Sequence, residues 1–266
     1  MRRRLALLLI RLYVFLFARK GFQWFHHGLF TLALRGRGYN NYSDYSLSGE
    51  RTFVKTVLAA ANPVHCMDIG ANTGSFTELV LESTAATVIA IEPLTEAYSQ
   101  LQRLQRKYRD RIIAMNCAVG DAHGQSVIYY GAADSEHASL SPEANQVPYV
   151  KNTNQQNVTV QTVDEIVRQL SLTRLDFIKI DTEGFEEKVL RGAQHTLNTL
   201  KPAFIQLEFN WHQMFVGNTL WHFSRLLPGY RPYQLLPGGW HPVDVFAPIN
   251  NVFLFSNFVF VRTDER

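Results

Sequence analysis

The sequence predicts an α/β protein built on a mostly parallel sheet with helices on both faces. Two observations carry this. From about Arg51, short apolar runs alternate with stretches in which apolar residues recur every three or four positions, the pattern of strand–helix–strand units. One run, Thr87–Ile91, is almost continuously apolar, as a strand buried on both faces must be. The 266 residues are 46% hydrophobic, 12% aromatic and 18% charged. That is enough for a large core, and it excludes a disordered chain, a collagen-like repeat and a multi-span membrane protein.

The elements follow in order. Residues 64–69 form a first strand, and Phe76, Leu79 and Val80 mark a helix starting near Gly74. Thr87–Ile91 is the second strand. Ala97, Leu101, Leu104 and Tyr108 share one helical face, with Arg103, Arg106, Lys107 and Arg109 on the solvated side. Residues 112–119 are a third strand. Residues 126–130 and 158–161 can pair as an antiparallel extension, across more than 20 residues rich in Ser, Asn, Gln and Pro; a loop this long is usually functional or mobile. Thr162 and Glu165 make a capping box ahead of Val163, Ile166, Val167 and Leu170. Phe177–Ile180 is the fourth strand, and a single helix follows with Phe185, Val189, Ala193, Leu197 and Leu200 inward. Phe204–Phe209 is the fifth, and residues 233–236 and 257–262 are late strands. No linker divides residues 51–266, so the expected organisation is an arm over 1–50 and one domain over 51–266.

Charge is unevenly placed. Residues 1–43 hold eight of the 26 Arg and Lys and none of the 23 acids, leaving 18 basic against 23 acidic residues beyond. An acidic body argues against a nucleic-acid partner. The arm opens MRRRLALLLIRLYVFLFARKGF. Arg11 splits its apolar stretch into two pieces, each too short to span a bilayer. It reads as an interfacial membrane anchor, a helix packed on the body, or an uncleaved signal-like or spanning segment. The expected location is cytoplasmic, with peripheral membrane contact through residues 1–20 left open.

The sharpest segment is HCMDIGANTGSFTELV, residues 65–80. A strand ends in Asp68, a turn follows with Gly70, Asn72 and Gly74, and a helix starts at once. The spacing is G-x-x-x-G, not the G-x-G-x-x-G that wraps a pyrophosphate. A carboxylate at Asp68 would repel phosphate but could position an ammonium group. Glu92 ends the second strand 22 residues after Gly70, where an acid accepts the hydroxyls of an adenosine ribose. An adenosine ligand with a cationic tail and no phosphate is S-adenosylmethionine.

These segments, with IEP, NCAVGD, FIKIDTEGFEEKVLRGA and a strand ending in LEF, resemble the FkbM family of S-adenosylmethionine-dependent methyltransferases over roughly residues 60–210. The resemblance implies a Rossmann-like class I methyltransferase fold. Its mostly parallel seven-stranded sheet has the order 3-2-1-4-5-7-6, helices on both faces and an antiparallel late strand. It also implies that Asp68, Gly70, Asn72 and Gly74 surround the methionine part of the cofactor, that Glu92 holds the ribose, and that Asn116 and Ala118 lie near the adenine. The implied reaction is methylation of a hydroxyl on a sugar, glycan or secondary metabolite. That strand order separates Cys66 from Cys117 by one strand, too far for a disulfide.

IKIDTEG falls at the carboxyl end of the fourth strand, where parallel sheets place their ligand crevice. Lys179 and Asp181 share a strand face, Glu183 follows in the turn, and Glu208 ends the next strand. These four are the candidate catalytic residues, set against the plainer reading of a salt-bridged strand end. A metal site from Asp181, Glu208 and His212 is weighed against an ordinary buried histidine, and no metal is expected. His195 has no assigned role, and His137 in the long loop is a candidate to reach the acceptor. Two rivals are a nicotinamide-dependent oxidoreductase, disfavoured by the turn spacing, and a catalytically inactive methyltransferase-like module. The oligomeric state is not legible.

Overall fold

The computed structural model describes residues 2–131, 138–142 and 151–263; His137 lies outside the described residues. The chain begins with helices α1 (Arg2–Phe17) and α2 (Gln23–Gly36), and a third, α3 (Glu50–Thr52), runs on as a π-helix over Phe53–Leu58. Strand β1 (His65–Ile69) leads through α4 (Ser75–Ser83) to β2 (Thr87–Ile91), and α5 (Thr95–Tyr108) leads to β3 (Ile112–Met115). A small second sheet follows, in which β6 (Asn154–Gln161) pairs in parallel with β4 (Ala118–Val119) and antiparallel with β5 (Gly124–Tyr130). Then come α6 (Val163–Gln169), β7 (Phe177–Ile180), α7 (Glu186–Arg191), α8 (Gln194–Thr199) and β8 (Phe204–Phe209). The chain continues with α9 (His212–Val216), α10 (Leu220–Leu226), β9 (Tyr230–Leu236), β10 (Gly239–Pro242) and β11 (Ser256–Arg262).

The main sheet has the order β10-β9-β11-β8-β7-β1-β2-β3, parallel from β8 to β3, with β11 antiparallel to both its neighbours. This is the expected order with an eighth strand added. Pro237 and Gly238 close a two-residue turn after β9, so β10 folds back as an edge hairpin. Alternation along the strands feeds two cores. Met67, Ile69, Ile178 and Ile180 meet α6, α7, α8 and α10. Cys66, Val88 and Phe177 meet α4, α5 and the π-helix.

Besides α9, α10 and β10, which the sequence reading does not include, two elements differ from it. The expected strand 112–119 breaks at Asn116, whose side-chain amide donates to the Glu92 and Pro93 carbonyls at 2.9 and 3.0 Å. That turns the chain out of the main sheet, so the antiparallel pair belongs to a separate sheet. The expected single helix over 185–200 is two. Asp164 receives the amides of His195 and Thr196 at 3.0 and 2.7 Å, capping α8 from outside and fixing the break at Gly192. Cys66 and Cys117 are buried free thiols.

Residues after α2 are built into the body. Tyr39 is fully buried, the Asn40 amide donates to the Phe255 carbonyl at 2.8 Å, and Gly38 accepts the Ser256 hydroxyl. The apolar side chains of α1 from Leu5 to Leu16 are exposed, so α1 is not packed on the body. Among the described residues no helix is long and apolar enough to cross a membrane.

Candidate active site

The turn after β1 is shaped by close approach. Gly70 takes a φ of +81°, and a Cβ there would sit 1.8 Å from the Asp181 carbonyl oxygen. Only glycine lets this loop lie against the end of β7. Asp68, on β1, is 2% exposed; its Oδ2 accepts the Thr77 hydroxyl at 2.6 Å, while Oδ1 is buried with no hydrogen-bond partner among the described residues. Glu92 folds over the same turn, accepting the Asn72 amide at 2.9 Å and the Leu94 amide at 2.8 Å. Burial pushes its carboxyl up to about 7.

Asp68, Lys179 and Gln206 stand in direct register across β1, β7 and β8, a polar row across the sheet that Gln206 extends to Asn257 on β11 at 2.9 Å. Lys179 Nζ lies 2.6 Å from Asp181 Oδ2 and 5.1 Å from the centre of the Phe76 ring. Burial alone would lower its pKa, but the carboxylates of Asp181, Asp68 and Glu50 hold the ammonium well above its ordinary range. Glu50, fully enclosed on α3, accepts Gln206 Nε2 at 2.8 Å and the Ser48 hydroxyl at 2.6 Å. Burial raises the carboxyls of both Glu50 and Asp68.

A second cluster faces the same space. Glu183 sits in the turn after β7 at a φ of +54°. That turn is fixed by Glu186, which accepts the Thr182 amide at 2.9 Å and the Gly184 amide at 3.1 and 3.2 Å. Asn210 donates to Glu183 Oε2 at 3.0 Å and to Glu208 Oε1 at 2.7 Å, bridging the two carboxylates. His212 Nδ1 lies 2.7 Å from Glu183 Oε2 and 2.9 Å from Asn210 Oδ1. Burial pulls its imidazole down to about 4, so it is neutral near pH 7. Burial and the nearby charges of Asp181 and Glu183 raise the Glu208 carboxyl well above the usual range. Oxygens of Asp181, Glu183 and Glu208 lie within 4.8 Å of one another. This is metal-like spacing, with Glu183 rather than His212 as third member.

Both clusters open on one cavity of about 900 Å³, whose wall includes Asp68, Gly70, Asn72, Glu92, Ala118, Lys179, Asp181, Glu183 and Glu208. Gly74 and Asn116 are not on that wall. Gly74 starts α4 with a φ of +89° against Leu101 and Leu104, and Asn116 is spent on the Glu92 turn. Tyr45, Glu50, Asn210 and Trp211 line the cavity without having been singled out. Asn210 was findable, since it lies two residues beyond Glu208 at a strand end. Tyr45 and Glu50 carry no motif, and only the fold brings them here.

A model of the methyltransferase FkbM domain matches residues 68–231. The hexuronic acid methyltransferase AglP of Haloferax volcanii is 24% identical over 166 residues, 60% of this chain. The chain thus spans 63% of that relative's length. Among solved structures, an O-methyltransferase from Bacillus cereus in complex with SAH aligns over 95% of this chain and 96% of its own. Its identity is 8% and the TM-score 0.46. The 1,6-didemethyltoxoflavin-N1-methyltransferase of Burkholderia thailandensis aligns over 88% of this chain and 86% of its own, with 11% identity and a TM-score of 0.43.

Proposed function

This chain belongs to the FkbM methyltransferase family, and from that membership we propose that it transfers the methyl group of S-adenosylmethionine to a hydroxyl oxygen of a sugar or glycan. The observation that carries the reading is the convergence of the Asp68–Glu92 turn and the Asp181–Glu183–Glu208 carboxylates on a single cavity. At about 900 Å³ it lies near the top of the range for small-molecule sites, with room for a cofactor and an acceptor together.

The turn fits the cofactor. Among the described residues Asp68 keeps one buried oxygen unpartnered, a fit for an ammonium group, and each Glu92 oxygen has acceptor capacity beyond its one backbone amide, enough for ribose hydroxyls. Ala118, with Cys117 and Ile128, offers an apolar wall for the adenine. When bound, S-adenosylmethionine supplies an electrophilic methyl on its sulfonium, which leaves as a neutral thioether. The chain's own residues align the acceptor and remove its proton. Glu208 suits the second task, because burial and two acidic neighbours raise its affinity for a proton. Lys179 holds Asp181 through their 2.6 Å ion pair, and Asn210 and His212 hold Glu183 in place. The absence of a phosphate-wrapping turn speaks against a nicotinamide oxidoreductase, and the presence of every carboxylate speaks against an inactive module. The sugar-directed relative supports a glycan acceptor.

The test pairs calorimetric titration of S-adenosylmethionine with labelled-methyl transfer to uronic acid and neutral sugar glycosides, the product located by mass spectrometry. Binding with transfer to a sugar hydroxyl is expected. Binding without transfer to any acceptor would leave a binding module, and absence of binding would remove the reading altogether.

A further inference from the structure

Among the described residues, sixteen of the 24 exposed large apolar side chains lie on α1, α2 and the turn between them. Leu8, Phe15, Trp24 and Leu32 are 63, 67, 76 and 71% exposed, far more apolar surface in one place than a protein normally leaves in water. The two helices act as a unit. Tyr13 Oη lies 3.2 Å from His26 Nδ1, His26 Nε2 lies 3.1 Å from the Phe17 carbonyl, and the Phe17 and Phe22 rings meet edge to face at 5.3 Å. They are also fixed to the body, through Arg37 on Asn250 Oδ1 at 2.8 Å and through buried Tyr39.

Charge names the occupant. Residues 1–43 carry eight Arg and Lys and no acid, so the formal charge of this apolar segment is wholly positive, which complements an anionic lipid surface. The chain that carries the two helices runs on into the crevice. Among the described residues, six that line the cavity are exposed, and five of them follow α1: Arg35 on α2, then Tyr42, Ser43, Asp44 and Arg51. The rim of the cavity is therefore the continuation of the platform.

We propose that α1 and α2 together dock on an anionic bilayer and hold the mouth of the cavity against it, so that the acceptor hydroxyl belongs to a lipid-linked sugar. The acceptor half rests on the methyltransferase reading, whereas the docking half does not.

The test uses the full chain with phosphatidylcholine vesicles, with and without phosphatidylglycerol. Cys66 and Cys117 are buried, so an environment-sensitive fluorophore can be placed on Ser43→Cys at the rim or on Thr173→Cys, exposed in the segment before the amino end of β7. Binding to the anionic vesicles, weakened by salt, is expected to shift the Ser43 probe to the blue and leave the Thr173 probe unchanged. Combining Leu8→Asp with Phe15→Asp should lower vesicle affinity at least about tenfold, with S-adenosylmethionine affinity unaltered. Methyl transfer to vesicle-borne glucuronosyl-diacylglycerol should run at least about tenfold faster than to methyl glucuronide in solution. The proposal falls if neither vesicle binds, or if the Thr173 probe shifts in place of Ser43. It also falls if the two substitutions dissolve a dimer while vesicle binding is absent, or if the soluble sugar reacts as fast as the lipid. A chain that docks yet binds no S-adenosylmethionine would instead mark the failure of the methyltransferase reading.

Discussion

The buried ion pair at the end of β7 separates a catalytic role from a structural one when both of its members are changed in turn. Asp181→Asn removes one charge but leaves Lys179 with Asp68, its register partner on β1, and Glu50, whose carboxylates also hold its ammonium up. The amide oxygen can still accept from Nζ. Removing one partner of a buried pair costs about 3–5 kcal/mol when the other is left unpaired; with two acids still neutralising Lys179, a loss of about 1–2 kcal/mol is expected. Lys179→Met is the harsher change, leaving Asp181, Asp68 and Glu50 without their shared cation, and should cost the full ~3–5 kcal/mol. For 266 residues, an unfolding entropy of about 2.1 cal/mol/K per residue makes each kcal/mol worth about 2 °C in Tm. Scanning fluorimetry should therefore show losses of about 2–4 °C for Asp181→Asn and about 6–10 °C for Lys179→Met. If Asp181 orients cofactor or acceptor, single-turnover methyl transfer by Asp181→Asn should fall ~10²- to 10⁴-fold while the protein stays folded. Turnover within a few-fold of the parent would take Asp181 off the catalytic list. Equal Tm losses in the two variants would refute the account of Lys179 as a cation shared among three acids.

Three further outcomes follow from the same site. Glu92→Ala should weaken S-adenosylmethionine binding roughly 10- to 150-fold by calorimetry, the worth of a charged hydrogen bond of about 1.5–3 kcal/mol. The Glu92 carboxyl is raised from 4.5 to about 7, so the folded state binds its proton more tightly than the unfolded one. Its contribution to stability is thus full below pH 4.5 and declines as pH rises through 7, whereas cofactor affinity should rise over that range and flatten in Glu92→Gln. Gly70→Ala places a methyl 1.8 Å from the Asp181 carbonyl at a left-handed φ, and thermal unfolding should show a loss of at least ~3 kcal/mol; an unchanged Tm would mean the turn does not lie against β7. If Glu208 is the base, the rate should fall on acidification at a pH well above 4.5, following its raised carboxyl, and Glu208→Gln should abolish this limb along with ~10²- to 10⁴-fold of the rate. A Glu208→Gln enzyme with an unaltered profile would assign the proton elsewhere.

Much of this site was legible because its signals are local. A strand, an acid, a glycine turn and a helix occupy consecutive residues, so Asp68, Gly70 and Glu92 announce themselves without knowledge of their neighbours. Lys179 and Asp181 were placed on one face by strand alternation alone, and they meet at 2.6 Å. The capping box at Thr162 formed as read, because both of its hydrogen bonds join residues three apart. Readings failed where a distant partner overrode local propensity. Asn116 ended a strand by bonding the Glu92 turn 24 residues away. Asp164 cut one helix into two from 31 residues upstream of His195.

The sequence by itself determined the alternation of strands and helices between β1 and β8 and the chemistry of the strand ends, since each depends on residues within a turn or two of one another. Only the tertiary structure decided what encloses the crevice. Glu50 reaches Gln206 across 156 positions, Asn210 ties Glu183 to Glu208 across separate strands, and the stretch from Arg35 to Arg51 becomes the cavity's rim. These are contacts between segments with no shared periodicity, and they satisfy buried polar groups that no single stretch of chain could satisfy alone.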